Sequence, residues 1–268
     1  MTRLDLRGRR IVVTGASSGL GAAFARCLVT NHRARVLLVA RRAARLGALA
    51  DQLREVGGEV ETMPLDLACD DAVDQLCAAV GDAYGWVLGA AQHHYGSFSD
   101  TPEEVIDAML TVNATAPVRL IRRVLPGLDA RGGGGVLVVA STGGLMPAPR
   151  QSLYAATKAL LVNFTQSLHY ERGADARAVV SLCCPGAMLT EMLTESPVMA
   201  HVTRRRWMQA MVMPTQAVAE QALAAWVAGQ PLFIPGHMNR AMDRIVRLLP
   251  RSVAGRGAAL VYPDESSP

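Results

Sequence analysis

Lysine is almost absent from this sequence, which contains only Lys158 among its 27 basic residues. The positive charge is therefore carried by arginine, and 23 acidic residues reduce the formal net charge to +4. An excess this small, dispersed along 268 residues, is not the clustered basic surface of a nucleic-acid-binding protein. We expect no nucleic-acid partner.

The sequence also lacks any uninterrupted apolar run close to the roughly 20 residues that a membrane-spanning helix needs. Half of the residues are hydrophobic, which argues against disorder, and the mean hydropathy of +0.20 is high for a soluble protein. The first ten residues, MTRLDLRGRR, have the pattern of neither a secretory signal nor a transit peptide. We expect a cytoplasmic location and no transmembrane segment.

No two cysteines have the C-x-x-C spacing of a metal or redox motif, and their number, five, is odd. This pattern favours buried free thiols in a reducing compartment over a metal site. We therefore expect no bound metal. The five are Cys27, Cys69, Cys77, Cys183 and Cys184.

Short apolar runs alternate along the chain with longer segments of helical periodicity. The runs are continuous rather than alternating, which is typical of parallel strands covered on both faces. They predict a single α/β domain over residues 1–250, a doubly wound Rossmann-type fold whose predominantly parallel sheet has seven strands with helices on both faces. A partly disordered tail is predicted for 251–268. The predicted strands are RRIVVTG, ARVLLVAR, EVETMPLD, GWVLGAA, GGVLVVAS, ARAVVSLCC and PLFIP.

Two helices of this pattern carry polar residues of interest. The first is one long helix over TPEEVIDAMLTVNATAPVRLIRRVLPGL, with Thr101 as its expected N-cap. The second is SLYAATKALLVNFTQSLHYE, which follows the fifth strand.

A glycine-rich turn, TGASSGLG, connects the first strand to the first helix. Gly15 permits a tight turn, Gly19 permits close approach of a pyrophosphate, and Gly21 permits close packing of helix on strand. The N–H groups at the start of the helix then face the phosphates. This position favours dinucleotide binding over a purely structural turn, with Ser17, Ser18 and Leu20 completing the phosphate loop.

The second strand ends without the acidic residue that an NAD site places against the ribose 2′-hydroxyl. The chain has Ala40 there, followed by Arg41 and Arg42. A guanidinium binds a 2′-phosphate through paired, charge-assisted hydrogen bonds. The sequence therefore favours NADP(H), the alternative being two solvated arginines at a strand end.

Three polar residues, Ser141, Tyr154 and Lys158, lie in the stretch ASTGGLMPAPRQSLYAATKAL. Residues four apart share a helix face, so the lysine ammonium favours the phenolate of the tyrosine. Such a tyrosine can exchange a proton with a carbonyl or alcohol oxygen, and the serine hydroxyl can hydrogen-bond that oxygen. The alternative is a packed tyrosine with a solvated lysine on one helix.

These motifs occur in an order that resembles the short-chain dehydrogenases/reductases, from Arg9 to about Pro235. The resemblance rests on TGASSGLG, Asp66–Leu67, Asn113 in TVNAT, Ser141, YAATK and PGAMLT. It implies that Asn113 anchors a water in a proton relay to Lys158, and that Lys158 also holds the nicotinamide ribose. It further implies cofactor contacts from Arg41 on the phosphate, Asp66 and Leu67 at the adenine, and Ala91, Pro185, Gly186, Met188 and Thr190 elsewhere.

The resemblance implies an NADP(H)-dependent oxidoreductase, a carbonyl reductase or alcohol dehydrogenase, with Tyr154 as acid and base. We expect a small-molecule carbonyl or alcohol substrate of hydrophobic character, and a homodimer or homotetramer. One alternative is a catalytically weak NADP(H)-binding regulatory or interaction protein. Another is dehydration or epimerisation on the same scaffold.

The chain departs from the family after the fourth strand, where Asn-Asn-Ala-Gly is replaced by Gly89, Ala90, Ala91 and Gln92. Two amides that would tie neighbouring strands are missing, and a larger polar group stands at the glycine position. His93 and His94 follow. Two interpretations are open: one of these histidines contacts the substrate, or both are solvated.

Two further segments carry hypotheses about surfaces. Residues 187–213 are rich in methionine and are interpreted either as a substrate lid or as plain packing. Within them RRRW, Arg204–Trp207, is more simply a solvated helix face than a site for an anionic substrate portion. The amphipathic segment HMNRAMDRIVRLLPRS is expected to dock on the domain, with a subunit contact or a membrane-surface contact as alternatives.

Overall fold

All seven apolar runs form strands of one parallel sheet in the computed structural model, which describes residues 4–173, 176–188, 190 and 209–261. The strand order is β3-β2-β1-β4-β5-β6-β7, and every neighbouring pair is parallel. The predicted fold class is confirmed. The strands are β1 Arg10–Thr14, β2 Arg35–Ala40, β3 Val60–Pro64, β4 Gly85–Leu88, β5 Gly135–Val139, β6 Val179–Cys183 and β7 Leu232–Phe233.

Helices cover both faces of the sheet because successive strand residues point to opposite sides. Val13 of β1 packs with α1, α2 and α7, whereas Val12 packs with α3, α5 and α6. Within the described ranges the α-helices are α1 Gly19–Thr30, α2 Ala43–Glu55, α3 Ala72–Val80, α4 Glu103–Leu110, α5 Ala116–Ala130, α6 Ser152–Glu171, α7 Thr215–Val227, α8 His237–Leu248 and α9 Arg251–Val261.

The strand order reverses between β1 and β4, so the chain leaves these neighbouring strands in opposite directions across the sheet. In open α/β sheets a crevice forms at such a point, outside the carboxyl ends of the strands. The glycine turn after β1, the segment Gly89–Gln92 after β4 and Ser141 after β5 all lie at this edge. The fold therefore gathers the predicted site residues in one place.

The long helix predicted before β5 is interrupted by a π-helical turn, Thr111–Thr115, between α4 and α5. Its expected N-cap is wrong: Pro102 occupies the cap position, and the Thr101 hydroxyl donates to the Ser97 carbonyl instead. A π-turn opens the regular i→i−4 bonding of a helix and is frequent at functional sites. Here it contains Asn113.

The C-terminal region contains a helix that was not predicted from the sequence. Residues 251–261 form helix α9, with Ala254 and Ala258 buried, although this segment was expected to belong to a partly disordered tail. The prediction for residues 262–268 falls outside the described residues. So do most of the predicted lid and the RRRW segment.

Candidate active site

The glycine turn after β1 is packed too tightly for side chains. Gly15 has φ +72°, and a Cβ there would lie 2.7 Å from the Ala90 Cα. A Cβ on Gly21 would collide with the Gly15 carbonyl oxygen. Because α1 begins at Gly19, the N–H groups of its first turn have no acceptor within the helix. The turn therefore presents backbone donors to the cleft.

The two arginines after β2 lie beside this turn in different arrangements. Arg42 donates to the hydroxyls of Ser17 (Oγ, 3.1 Å) and Ser18 (Oγ, 2.7 Å). Arg41 lies 3.7 Å from the Asp66 carboxylate, and its side chain is 57% exposed. Both guanidinium groups therefore stand at the end of the cleft next to the glycine turn.

The residues that replace the family's amides after β4 are held by two other side chains. The Thr14 hydroxyl accepts hydrogen bonds from the N–H groups of Gly89 (3.1 Å) and Ala90 (3.2 Å), which ties β1 to β4. Asn113 accepts from the Gln92 N–H through Oδ1 (2.7 Å) and donates to the Gln92 carbonyl through Nδ2 (2.8 Å). Sequence reasoning missed Thr14, although it begins the quoted glycine motif.

Asn113 is fully buried behind the cleft wall rather than exposed in it. Its Nδ2 also donates to the Thr157 hydroxyl at 3.2 Å, one residue before Lys158 in α6. The Thr157 hydroxyl in turn donates to the Tyr154 carbonyl at 2.7 Å. The π-turn, the loop after β4 and the first turns of α6 are thus joined through one amide.

Tyr154 and Lys158 meet on one face of α6, as their spacing predicts. The Lys158 ammonium lies 5.6 Å from the centre of the Tyr154 ring and donates to the Val139 carbonyl at 3.1 Å. Lys158 is only 2% exposed, and burial lowers the pKa of its ammonium from 10.5 to about 8. A cation this poorly solvated interacts strongly with any charge that develops on the neighbouring phenol.

Ser141 begins a short 3-10 turn, Thr142–Gly144, after β5. Its Oγ accepts a hydrogen bond from the Gly143 N–H at 3.0 Å, which leaves the hydroxyl proton available for an oxygen in the cleft. A Cβ on Gly144 would lie 2.6 Å from the Lys158 carbonyl carbon, so this turn packs directly on α6. That contact fixes Ser141 relative to the helix that carries Tyr154 and Lys158.

His93 also reaches this group, and its contact with substrate stays a prediction. Its ring meets the Tyr154 ring edge-on at 4.9 Å, and its Nε2 lies 2.9 Å from the Gln151 Oε1. Burial lowers the pKa of His93, so the ring is uncharged at neutral pH. His94 does not line the cleft formed by the described residues. No sequence signal identified Gln151.

One cleft of about 480 Å³ connects these groups. It is lined by Ser141, Tyr154, Lys158, Gln92 and His93 at one end and by the glycine turn at the other. Every residue predicted to contact cofactor lies on its wall. Those residues are Gly15, Ser17, Ser18, Gly19, Leu20, Gly21, Arg41, Arg42, Asp66, Leu67, Ala91, Tyr154, Lys158, Pro185, Gly186, Met188 and Thr190.

The five cysteines are free, and no group of three or more metal-ligating side chains occurs in the described part of the chain. None of the helices described here is both long enough and apolar enough to cross a membrane.

Comparison with known proteins identifies the family. Residues 9–200 match the family model described as short chain dehydrogenase. A fatty acyl-CoA reductase of Mycobacterium tuberculosis is 32% identical over an alignment of 243 residues that covers 83% of this chain and 82% of the relative. The chain therefore belongs to the short-chain dehydrogenase/reductase family of oxidoreductases, as the sequence motifs predicted.

Further similarities are more distant. The human very-long-chain 3-oxoacyl-CoA reductase is 29% identical over 171 residues, 61% of this chain, and this chain spans about half (54%) of that relative. A short-chain dehydrogenase from Sphingobium yanoikuyae, solved in complex with NADPH, is 25% identical with a TM-score of 0.76, covering 97% of this chain and 98% of that one. A relative from Burkholderia phymatum, solved in complex with NAD, is 21% identical with a TM-score of 0.78, covering 91% and 94%. The last similarity shows the fold alone.

Proposed function

We propose that this protein is an NADP(H)-dependent oxidoreductase that interconverts a ketone or aldehyde and an alcohol on a hydrophobic substrate. One observation carries the proposal. Tyr154, the buried Lys158 cation and Ser141 line the same cleft as the glycine turn and two arginines. A proton-transfer group and a dinucleotide-binding turn in one cleft are the two parts that this reaction needs.

The residues present fit a dinucleotide that carries a 2′-phosphate. The glycine turn offers backbone N–H donors to a pyrophosphate, and the end of β2 offers two guanidinium groups where an NAD site has a carboxylate. When bound, the nicotinamide supplies or accepts the hydride. Arg41 and Arg42 would hold the 2′-phosphate, and the cofactor residues named above would hold the remainder.

The protein's own groups handle the proton. Tyr154 donates a proton to the carbonyl oxygen in reduction and removes it from the alcohol in oxidation. The Lys158 ammonium favours the phenolate that remains after donation. Ser141 donates its hydroxyl proton to the substrate oxygen, and Asn113 positions the loop that bears Gln92 and His93.

The substrate class is supported by two kinds of observation. The relatives described above are named as reductases of fatty acyl-CoA and 3-oxoacyl-CoA, so both act on molecules with long apolar chains. The cleft is lined in part by Met188 and Ala187. We propose a carbonyl attached to an apolar chain as the substrate.

The test is oxidation of NADPH, followed by absorbance, with a panel of aliphatic ketones and aldehydes and with NADH as the control cofactor. Tyr154→Phe should lower kcat by at least about 100-fold, because the general acid is lost, while NADPH binding is retained. Tyr170→Phe, on the exposed side of the same helix, is the matched control and should leave the rate unchanged.

An unchanged rate in Tyr154→Phe would contradict the proposed role. Binding of NADPH without turnover across the panel would favour the regulatory or interaction protein. A product formed without net consumption of cofactor would favour dehydration or epimerisation.

A further inference from the structure

Helix α8 presents an apolar stripe to the outside of the protein. Met238, Ala241, Ile245 and Leu248 are three or four residues apart and therefore share one helix face. Met238 is 51% exposed, Ile245 54% and Leu248 86%, and Ala241 is also exposed. Exposed apolar residues continue after the helix at Leu249 (41%) and Val253 (47%). A contiguous exposed stripe of this kind indicates an interaction surface.

The opposite face of α8 is fixed to the domain, so the stripe cannot turn inward. Asn239 is 2% exposed and donates to the carbonyl oxygens of Pro235 (3.0 Å) and Met211 (3.4 Å). A Cβ on Gly186 would lie 2.7 Å from the Asn239 amide, so α8 rests on the turn that closes the cleft. The docking on the domain that the sequence predicts therefore accounts for the face that contains Asn239. It leaves the apolar stripe exposed.

The charge around the stripe is strongly positive. Residues 237–261 contain five arginines and one aspartate, so this segment alone has the formal net charge of +4 that the whole chain has. The excess is therefore concentrated here and is not dispersed as the sequence analysis assumed. Asp243 is already paired with Arg247 at 2.9 Å. The five are Arg240, Arg244, Arg247, Arg251 and Arg256.

Arg244 lies three residues after Ala241 and four before Leu248, so this exposed cation borders the stripe. An apolar face bordered by arginine matches a surface that is apolar within and anionic at its edge. A second copy of the chain matches less well, because pairing two such faces brings like charges together.

We propose that α8 attaches the protein to the surface of a bilayer that contains anionic lipid. The stripe enters the boundary between headgroups and acyl chains, and the exposed Arg244 beside it lies against the lipid phosphates. The proposal is independent of the reaction proposed above, because it rests on a surface outside the catalytic cleft.

The test is flotation of the full-length protein with vesicles of phosphatidylcholine alone or mixed with phosphatidylglycerol. Binding should appear with the mixed vesicles and should weaken as salt screens the arginines. Arg244→Gln should weaken binding about fivefold, which is the contribution of one cation near an anionic surface. Ile245→Ser with Leu248→Ser should weaken it at least about tenfold, since two buried apolar side chains are lost.

Val56→Ser is the matched control, because Val56 is 63% exposed and precedes β3 at the opposite edge of the sheet. It should bind like the parent protein. Thermal unfolding of each variant checks that the exposed substitutions leave the fold intact.

Two results would overturn the proposal. One is equal recovery of the parent protein with both kinds of vesicle. The other is self-association in the absence of lipid that the Ile245 and Leu248 substitutions abolish, which would make this face a subunit interface.

Discussion

The charged side chains around the cleft differ in how strongly neighbouring protein groups already bind them. Arg41 is more than half exposed, and its partner Asp66 lies at 3.7 Å, a separation at which an exposed pair contributes little stability. Arg42 donates to two serine hydroxyls, which are neutral acceptors. The contact between Arg41 and Asp66 does not compete strongly with a phosphate dianion, so Arg41 is the better placed of the two guanidinium groups to bind one.

Replacing both arginines by alanine should therefore change the choice of cofactor. We expect Arg41→Ala with Arg42→Ala to weaken NADPH binding about 100-fold, since charge-assisted hydrogen bonds to the 2′-phosphate are lost. NADH binding should change little. Titration of each cofactor by fluorescence measures both constants, and an equal loss for NADH and NADPH would contradict the assignment.

Lys158 differs from the two arginines, because its side chain is almost completely buried. Its pKa falls from 10.5 to about 8 because burial disfavours the ammonium form. Between about pH 8 and pH 10.5 the Lys158 side chain is protonated in the unfolded chain and largely deprotonated in the folded chain. The free energy of unfolding therefore rises with pH across this window, and the charged form is a cost below about pH 8.

Lys158→Met should accordingly stabilise the protein without cofactor at neutral pH while abolishing turnover. The shift from 10.5 to about 8 corresponds to roughly 3 kcal/mol, reduced by about 1 kcal/mol for the lost bond to the Val139 carbonyl. Urea unfolding at several pH values measures the difference between the two proteins. It should shrink toward pH 10.5, and a difference that does not vary with pH would refute this account.

At the scale of elements, the π-turn between α4 and α5 holds three segments together. The Asn113 amide satisfies both backbone groups of Gln92 and contacts the Thr157 hydroxyl of α6. This arrangement holds the loop after β4 against the π-turn and α6. It also sets where Gln92 and His93 enter the cleft.

Removing that amide should loosen the loop after β4. Asn113→Ala leaves the Gln92 N–H and carbonyl without these partners, so we expect a loss of about 2–3 kcal/mol in the free energy of unfolding. Thr157→Val is the control and should cost less, about 1 kcal/mol, because it removes one hydroxyl with its bonds to Asn113 and to the Tyr154 carbonyl but keeps the Gln92 contacts. Urea unfolding of both variants gives the comparison, and equal stability of Asn113→Ala and the parent would refute this role.

The elements differ in how far the sequence could predict them. The strands were predictable because each is a continuous apolar run bounded by turns or helices, which is a local property. The π-turn was not, because the contacts of Asn113 with Gln92 and Thr157 join residues 21 and 44 positions away. Helix α9 was missed because Gly255 and Gly257 lower its helix propensity, and its burial depends on the rest of the fold.

The residues of the site also differ in how far the sequence could predict them. Tyr154 and Lys158 were predictable from a spacing that is fixed by helix geometry. The approach of His93 to Tyr154 was not, because it depends on how the loop after β4 lies against α6. The hydrogen bonds that the Thr14 hydroxyl accepts were likewise not predictable. A threonine at a strand end is common, and its partners lie 75 and 76 residues away.

At the scale of the whole molecule, the predicted homodimer or homotetramer remains a proposal. The helices α4 and α6 expose Leu110 (42%) and Leu160 (45%), which supports an interface on that side of the protein. We expect sedimentation to give a mass of two or four chains, and Leu160→Asp to lower it because a charge enters an apolar contact. The Ile245 and Leu248 substitutions should leave the mass unchanged, and a monomeric parent protein would contradict the proposal.

The single lysine gives the molecule one further property. A reagent that acylates amines has only the N-terminal amine and the Lys158 side chain to modify. With a pKa of about 8, much of the Lys158 side chain is an uncharged nucleophile in mildly alkaline solution. One acyl group found at residue 158 by peptide mass mapping would therefore report an open cleft, and a bound dinucleotide should protect it. The fraction of the protein that has a dinucleotide bound then becomes measurable even in mixtures that are too impure for an activity assay.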